Sequence, residues 1–269
     1  MRLDLHTHTE HSFDSKLPIK DLLKSAKRNR LDAIAICDHD TMSAIGIANK
    51  LADGVAIIPG MEITCERGVH LIGLFLQEEV VSREIDEVIG EIHSQGGLAL
   101  LPHPFRPITG LLHERYKTGG ITGEEAGQVL ADIDLIEGVN FRCPSEAMLE
   151  TDKYLQSYPN IPQTASSDAH NVSEVGKAYL ELEDFRANTL EELKKALLQL
   201  PCLLRFEVYN PEIGIETRKI IIPKLGRRLI WKAKRLLRFP SQVSAGKIFG
   251  RDAKKQEEVL EQAADEELL

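Results

Sequence analysis

The chain has 269 residues, 42% hydrophobic and 28% charged, with a formal net charge of -9. This is the profile of an ordinary soluble globular protein, long enough for one large domain or two small ones, and its acidic balance argues against a general nucleic-acid binder. The N-terminus MRLDLHTHTEHS lacks an apolar core with a small-residue cleavage site, no apolar run approaches a membrane span, and Cys37, Cys65, Cys143 and Cys202 form no CxxC pair. The expectation is a cytoplasmic protein whose cysteines are buried apolar residues.

In chain order, Arg2 to His6 predicts a strand and Pro18 to Asn29 a helix, with Ile19, Leu22, Leu23 and Ala26 on one face. The β-branched run from Asp32 to Cys37 predicts a buried strand, Thr41 to Leu51 a helix, and Val55 to Ile58 and Val69 to Phe75 two further strands. Ser82 to His93 is a helical pattern aligning Ile85, Val88, Ile89 and Ile92, and Leu98 to Leu101, Leu135 to Val139 and Ile161 to Ala165 are strands. Strands apolar on both faces and separated by helices imply a parallel sheet covered by helices, and seven of them favour closure into a barrel. Arg106 to Gly123, rich in Gly and Thr, reads as a loop over the site. Beyond residue 200 the character changes. Arg218 to Arg238 holds nine basic residues and no acidic one, interleaved with Leu225, Leu229, Trp231, Leu236 and Leu237, and an acidic helical pattern follows from Lys254 to Leu269.

The polar residues at the strand ends carry the chemistry. His6 and His8 stand at i and i+2 at the end of the first strand, so both side chains leave one face. Alone, such a pair is more often an exposed polar face than a metal grip; its recurrence is what counts. Asp38-His39 follows the second strand, Glu62 the third, and His103 the fifth, while Asp168 and His170 repeat the i, i+2 spacing after the last. His70 opens its apolar run instead of closing it, which implies a reversed strand or a bend. Six of the nine histidines therefore fall at strand ends, mostly at C-terminal ends, where parallel barrels build active sites. Imidazole and carboxylate without thiolate suit Zn, Mn or Fe, and this many ligands suits two or three ions.

HTHTEHSFDS, ICDHD, PGMEIT, HLIGLF, LLPHPF and SSDAH, in that order over about residues 2 to 200, together resemble the PHP (polymerase and histidinol phosphatase) superfamily, in its short free-standing form. The resemblance implies an α/β fold, a distorted (βα)7 barrel over residues 1–200; the change of composition beyond it marks 201–269 as a C-terminal extension carrying a basic helix and an acidic tail. It implies one metal held by His6, His8, Glu62 and Asp168, a second by Glu62, His70 and His103, and a third by Asp14, His39 and His170. Asp14 stands where some members carry histidine, which favours a harder ion or weaker occupancy there. Glu62, Asp168 and His39 are the residues expected to act in the chemistry. Arg106, Asn140 and Arg142 are candidate contacts for a substrate phosphate, an arginine fork being suited to bidentate binding.

These readings imply hydrolysis of the phosphate monoester of a small phosphorylated substrate by a metal-activated hydroxide. Its rivals are a phosphodiesterase or exonuclease using the basic helix to hold nucleic acid, and a non-catalytic metal-bound regulatory module. Amidohydrolysis shares the HxH barrel theme but lacks a lysine ending a central strand. The basic helix is read as packed on the barrel or paired with the acidic tail. His11 is placed to touch substrate or support Asp14, His113 lies in the long loop, and His93 in the last turn of a helix is read as structural. Asp38 and Asp40 are expected to orient a ligand imidazole.

Overall fold

The computed structural model describes residues 1–113, 123–156, 161–199, 203–210 and 214–221. Strands β1 (Arg2–Thr7), β2 (Ala33–Ile36) and β3 (Ala56–Thr64) run parallel, linked by helices α1 (Ile19–Arg28) and α2 (Ile45–Leu51). β4 (His70–Leu74) is antiparallel both to β3 and to β5 (Leu98–Leu101), the reversal that an opening histidine implied. β5, β6 (Leu135–Asn140) and β7 (Gln163–Ser166) are again parallel, with α3 (Ile85–Ser94), α4 (Gly123–Asp132) and α5 (Ser145–Leu155) in the crossovers from β4 onward.

An eighth strand that the sequence reading passed over, β8 (Ala178–Glu181), lies antiparallel beside β1 and makes the barrel a nearly closed eight-stranded one. At the C-terminal mouth, β1 and the end of β7 meet directly: the His8 amide donates to the Ala169 carbonyl at 2.9 Å and the Asp168 amide to the His6 carbonyl at 2.8 Å. α6 (Leu190–Gln199) places Leu193, Ala196 and Leu197 in the cluster that fills the barrel and so closes its other end.

The patterning of the strands follows from burial on both faces. Ala33 and Ala35 of β2 belong to the interior cluster with Leu3, Ile58, Leu100 and Leu180. Ile34 and Ile36 belong to an outer cluster with Leu22 and Ala26 of α1. With no solvated face there is no alternation to read, only a continuous apolar run. Two register shifts interrupt the ladders, between Asp4 and Thr7 of β1 and between Glu137 and Val139 of β6. An extra residue of this kind re-aims the side chains that follow, and both shifts lie where a strand passes from core to polar mouth. Gly60 is required by close approach: a Cβ there would lie 3.0 Å from the Gly73 carbonyl and 3.2 Å from the Cys37 sulfur.

Some expectations are corrected. The second helix starts at Ile45, because the amide of Met42 and the hydroxyl of Thr41 are tied to Glu79 and hold that stretch as a turn. Leu111 and Leu112, expected in an open loop, are buried, and Gly110 makes a tight turn onto Arg106; residues 114–122 of that segment lie outside the described ones. Past residue 200 the sheet continues through β9 (Leu203–Asn210), paired with β8, and β10 (Gly214–Ile221). Arg218 to Ile221 are thus strand and not the start of a basic helix, since Ile215, Thr217, Ile220 and Ile221 favour the extended backbone. The rest of the basic segment Arg218–Arg238 and the acidic tail lie outside the described residues. Among the described residues no helix is long and apolar enough to cross a membrane.

Candidate metal centre

All nine residues expected as ligands meet at the mouth of the barrel. His6 and His8 come from the end of β1 and the turn after it, Asp14 from the loop that follows, and His39 from the loop after β2, which bridges to Glu62 on β3. His70 reaches the same place because β4 is reversed, so its first residue sits opposite Thr64 at the mouth. His103, Asp168 and His170 follow β5 and β7.

Glu62 is the centre of the arrangement. Its Oε2 lies 3.0 Å from His6 Nε2 and 3.2 Å from His8 Nε2. Its Oε1 lies 2.8 Å from His70 Nδ1 and 3.1 Å from His103 Nε2. Asp168 Oδ1 faces the first set, 3.5 Å from His6 Nε2 and 3.3 Å from His8 Nε2. Asp14 Oδ2 is 2.8 Å from His170 Nε2 and 3.5 Å from His39 Nε2. His8 also groups with Asp14 and His170, and with His39 and Glu62. It therefore stands between the expected first and third sets, a sharing that strand-end counting did not foresee.

This donor set fits divalent ions. Metal–ligand bonds of about 2.0–2.2 Å place neighbouring ligand atoms about 3 Å apart, which is the spacing found. Two of the second ring nitrogens are committed elsewhere: His6 Nδ1 pairs with Glu137 Oε1 at 2.9 Å, and His170 Nδ1 donates to the Asp168 carbonyl at 2.8 Å, whereas the buried Nδ1 atoms of His39 and His103 have no partner among the described residues. Those bonds leave each Nε2 with its lone pair turned into the pocket, the arrangement that orients imidazole ligands. His103 and Asp168 both have positive φ, 28° and 54°, a backbone cost that persists only where the surroundings impose it.

The electrostatics say the same. Burial pushes the His8 imidazolium down, and hydrogen bonds to Asp168 and Glu62 overcome this, leaving its pKa at about 9. His6 is likewise raised well above its usual value by Asp168, Glu62 and Glu137 against desolvation. Burial raises the carboxyls of Glu62 and Asp168, and the surrounding histidines outweigh it and hold both well below the usual range. A buried pocket that draws protons onto its own imidazoles is one whose negative charge calls for cations.

The candidate substrate contacts separate. Arg106 Nη1 is bound to Asp168 Oδ2 at 2.9 Å. Asn140, 2% exposed, spends its amide on Glu137 and Asp168 and its carbonyl on the Arg142 amide. Among the described residues the Arg142 guanidinium has only a long contact, 4.0 Å to Glu174, and of the two arginines it has more freedom to turn towards a ligand. Asp38 holds the amide and hydroxyl of Thr9, both at 2.6 Å, and does not orient an imidazole as expected. His11 binds Ser43, and Asp14 is supported instead by the Ser12 hydroxyl at 2.7 Å. His93 pairs with Asp134, away from the mouth. Glu137 and Ser12 were missed. A charged residue inside the apolar run LIEGVN was the signal for Glu137; Ser12 carried none. Phe13 is 80% exposed, its ring 4.8 Å from that of His39.

A family model of the PHP domain matches residues 4–185. An uncharacterised protein of Methanocaldococcus jannaschii is 32% identical over 195 residues, covering 72% of this chain and 75% of that protein. Among solved structures, a Bifidobacterium adolescentis protein assigned as a metal-dependent phosphoesterase superposes with a TM-score of 0.50 at 16% identity, covering 62% of this chain and 87% of that one. Endonuclease Q, in complex with a 27-mer duplex bearing an abasic lesion, superposes with a TM-score of 0.53 at 19% identity, covering 73% of this chain and 56% of that one.

Proposed function

Because the chain belongs to the PHP domain family, and is thereby a hydrolase of phosphoester bonds, we propose that it removes phosphate from small phosphate monoesters using two or three divalent ions of the Zn, Mn or Fe kind. The observation that carries this reading is the division of Glu62, one oxygen facing His6 and His8 and the other facing His70 and His103. When bound, such ions supply Lewis-acid activation of water and neutralise the charge of the transferring phosphoryl group.

The chain's own residues do the rest. Glu62 and Asp168 hold the cations in register. Arg142, at the mouth and only loosely engaged, closes on the non-bridging phosphate oxygens and fixes them for in-line attack. Arg106 holds Asp168 Oδ2 and adds positive potential beneath the phosphate. Where only two ions are bound, His39 Nε2 is left to hold a proton and pass it to the leaving oxygen; where a third is bound, it is a ligand beside Asp14 and His170. The buried pocket walls exclude bulk water and strengthen each of these interactions.

One observation favours a second reading, hydrolysis of a nucleotide or nucleic-acid ester. The exposed ring of Phe13 at the rim is a surface on which a base can stack. The test is a panel of phosphorylated metabolites, mononucleotides and short oligonucleotides assayed with Mn, Zn and Fe. Higher kcat/KM on small monoesters than on internal phosphodiester bonds is expected. The reverse order, with steep salt dependence, replaces the monoesterase by a nuclease.

A further inference from the structure

The buried carboxylate of Glu137 has no place among the ligands. It sits in β6 directly behind the ring of His6, its side chain fully buried. Three donors converge on it and nothing asks it to donate. Oε1 takes His6 Nδ1 at 2.9 Å; Oε2 takes the backbone amide of His103 at 2.8 Å and the side-chain amide of Asn140 at 2.9 Å. His6 belongs to the ligand set that shares Glu62 Oε2, and His103 to the set that shares Glu62 Oε1. The same Asn140 nitrogen reaches Asp168 Oδ2 at 3.3 Å, where Arg106 also donates, so Asp168 is left with Oδ1 alone turned to His6 and His8.

We propose that Glu137 is the positioning residue that couples the two halves of the metal centre, and that Asn140 acts as its link to Asp168 and not as a substrate contact. Through His6 it assigns the proton to Nδ1 and the lone pair to Nε2. Through the His103 amide it holds a backbone with φ of 28° that histidine rarely adopts. Through Asn140 it limits Asp168 to one inward oxygen. One side chain therefore sets ligands on both sides of Glu62. Glutamine cannot replace it: three donors need two acceptor oxygens, and an amide NH2 in either position would face one of them.

This inference rests on the pocket holding divalent ions and not on which ester is cleaved, so its test reads metal binding. The full chain is stripped by chelation and titrated with Co(II) and Mn(II), followed by calorimetry and Co(II) absorption. Wild type is compared with Glu137→Gln, and with Asp134→Asn as a buried-carboxylate control at the other end of the barrel. Glu137→Gln is expected to weaken ion binding to both sets that share Glu62, and so at least two steps, about 10–100-fold, the range typical of outer-shell partners, with an altered Co(II) spectrum; Asp134→Asn is expected to leave both unchanged. Weakening of one step alone, or unchanged affinities in folded protein, overturns the coupling role. If Glu137→Gln does not fold, Asn140→Ala carries the test, with a several-fold loss across the steps expected and unchanged affinities again overturning it. A wild type that binds no ion defeats the metal-dependent reading itself, a separate outcome.

Discussion

The two ends of the barrel use the same residue types in opposite ways. At the N-terminal end, His93 of α3 meets Asp134 at 2.8 Å, and the same carboxylate oxygen accepts the Ala99 amide at 2.9 Å. One imidazole meets one carboxylate, and the pair staples a helix end to the start of two strands. At the mouth, the single carboxylate of Glu62 faces His6, His8, His70 and His103 within 3.2 Å. An oversubscribed carboxylate with lone pairs turned inward is stable only with protons or metal ions between its partners. A satisfied pair stabilises a fold, whereas a crowded set recruits a cation.

That contrast can be broken most severely at Glu62. Glu62→Gln is expected to lower kcat by more than about 100-fold, beyond what outer-shell changes usually produce, with ion content reduced and the far-UV circular dichroism unchanged. Near wild-type turnover of an aryl phosphate would remove Glu62 from the centre of the chemistry.

Next come the two arginines, whose contacts differ. Arg142→Ala is expected to raise KM for a phosphate monoester about 10–100-fold, the value of one charged hydrogen bond, with bound metal unchanged by elemental analysis. Arg106→Ala should reduce ion affinity, since it frees Asp168 Oδ2. If the two phenotypes exchange, the clamp has been assigned to the wrong residue. At the rim, Phe13→Ala is expected to cut kcat/KM for nucleotides about tenfold, at the lower part of the stacking range, and to spare sugar phosphates. An equal loss on both would make Phe13 a support for His39 only.

The pH response sharpens the comparison without a mutation. The His8 pKa is raised from its usual 6.5 to about 9 by Asp168 and Glu62 against burial. A group raised in the folded state stabilises below its unfolded value and loses that contribution as pH climbs through the folded value. Ion-free protein should therefore show a falling Tm between about pH 6.5 and 9, while added Mn(II) stabilises progressively more as protons cease to compete. A flat ion-free profile across that window contradicts the protonated-pocket picture. The smallest effect belongs to the other end: Asp134→Asn should cost about 1 kcal/mol of stability by denaturant unfolding and leave turnover unaltered.

The parts of this protein that were legible in its sequence are those governed by short spacings. His6 with His8, and Asp168 with His170, share a face because a strand repeats every two residues, and β2 and β5 read as strands because burial on both faces leaves only apolar residues. Even the reversal of β4 left a local mark, a histidine placed before its strand. The hairpin of β9 and β10 and the strand β8 were passed over; β8, at four residues, is too short for periodicity to mark and is defined by pairing with β1, 10 to 13 residues after Asp168 in the chain.

What only the tertiary structure decided is who serves whom. Glu137 and His6 are 131 residues apart in the chain, and Arg106 and Asp168 are 62 apart. Nothing in the local pattern tells a carboxylate that will grip an ion from one that will hold the back of a ligand's ring, or an arginine bound to Asp168 from one lying loosely beside Glu174. Residue type determines which bonds a side chain is able to make. The bonds it does make depend on which donors the closed barrel brings within about 3 Å, and that distance is set by strands and bulges remote in sequence.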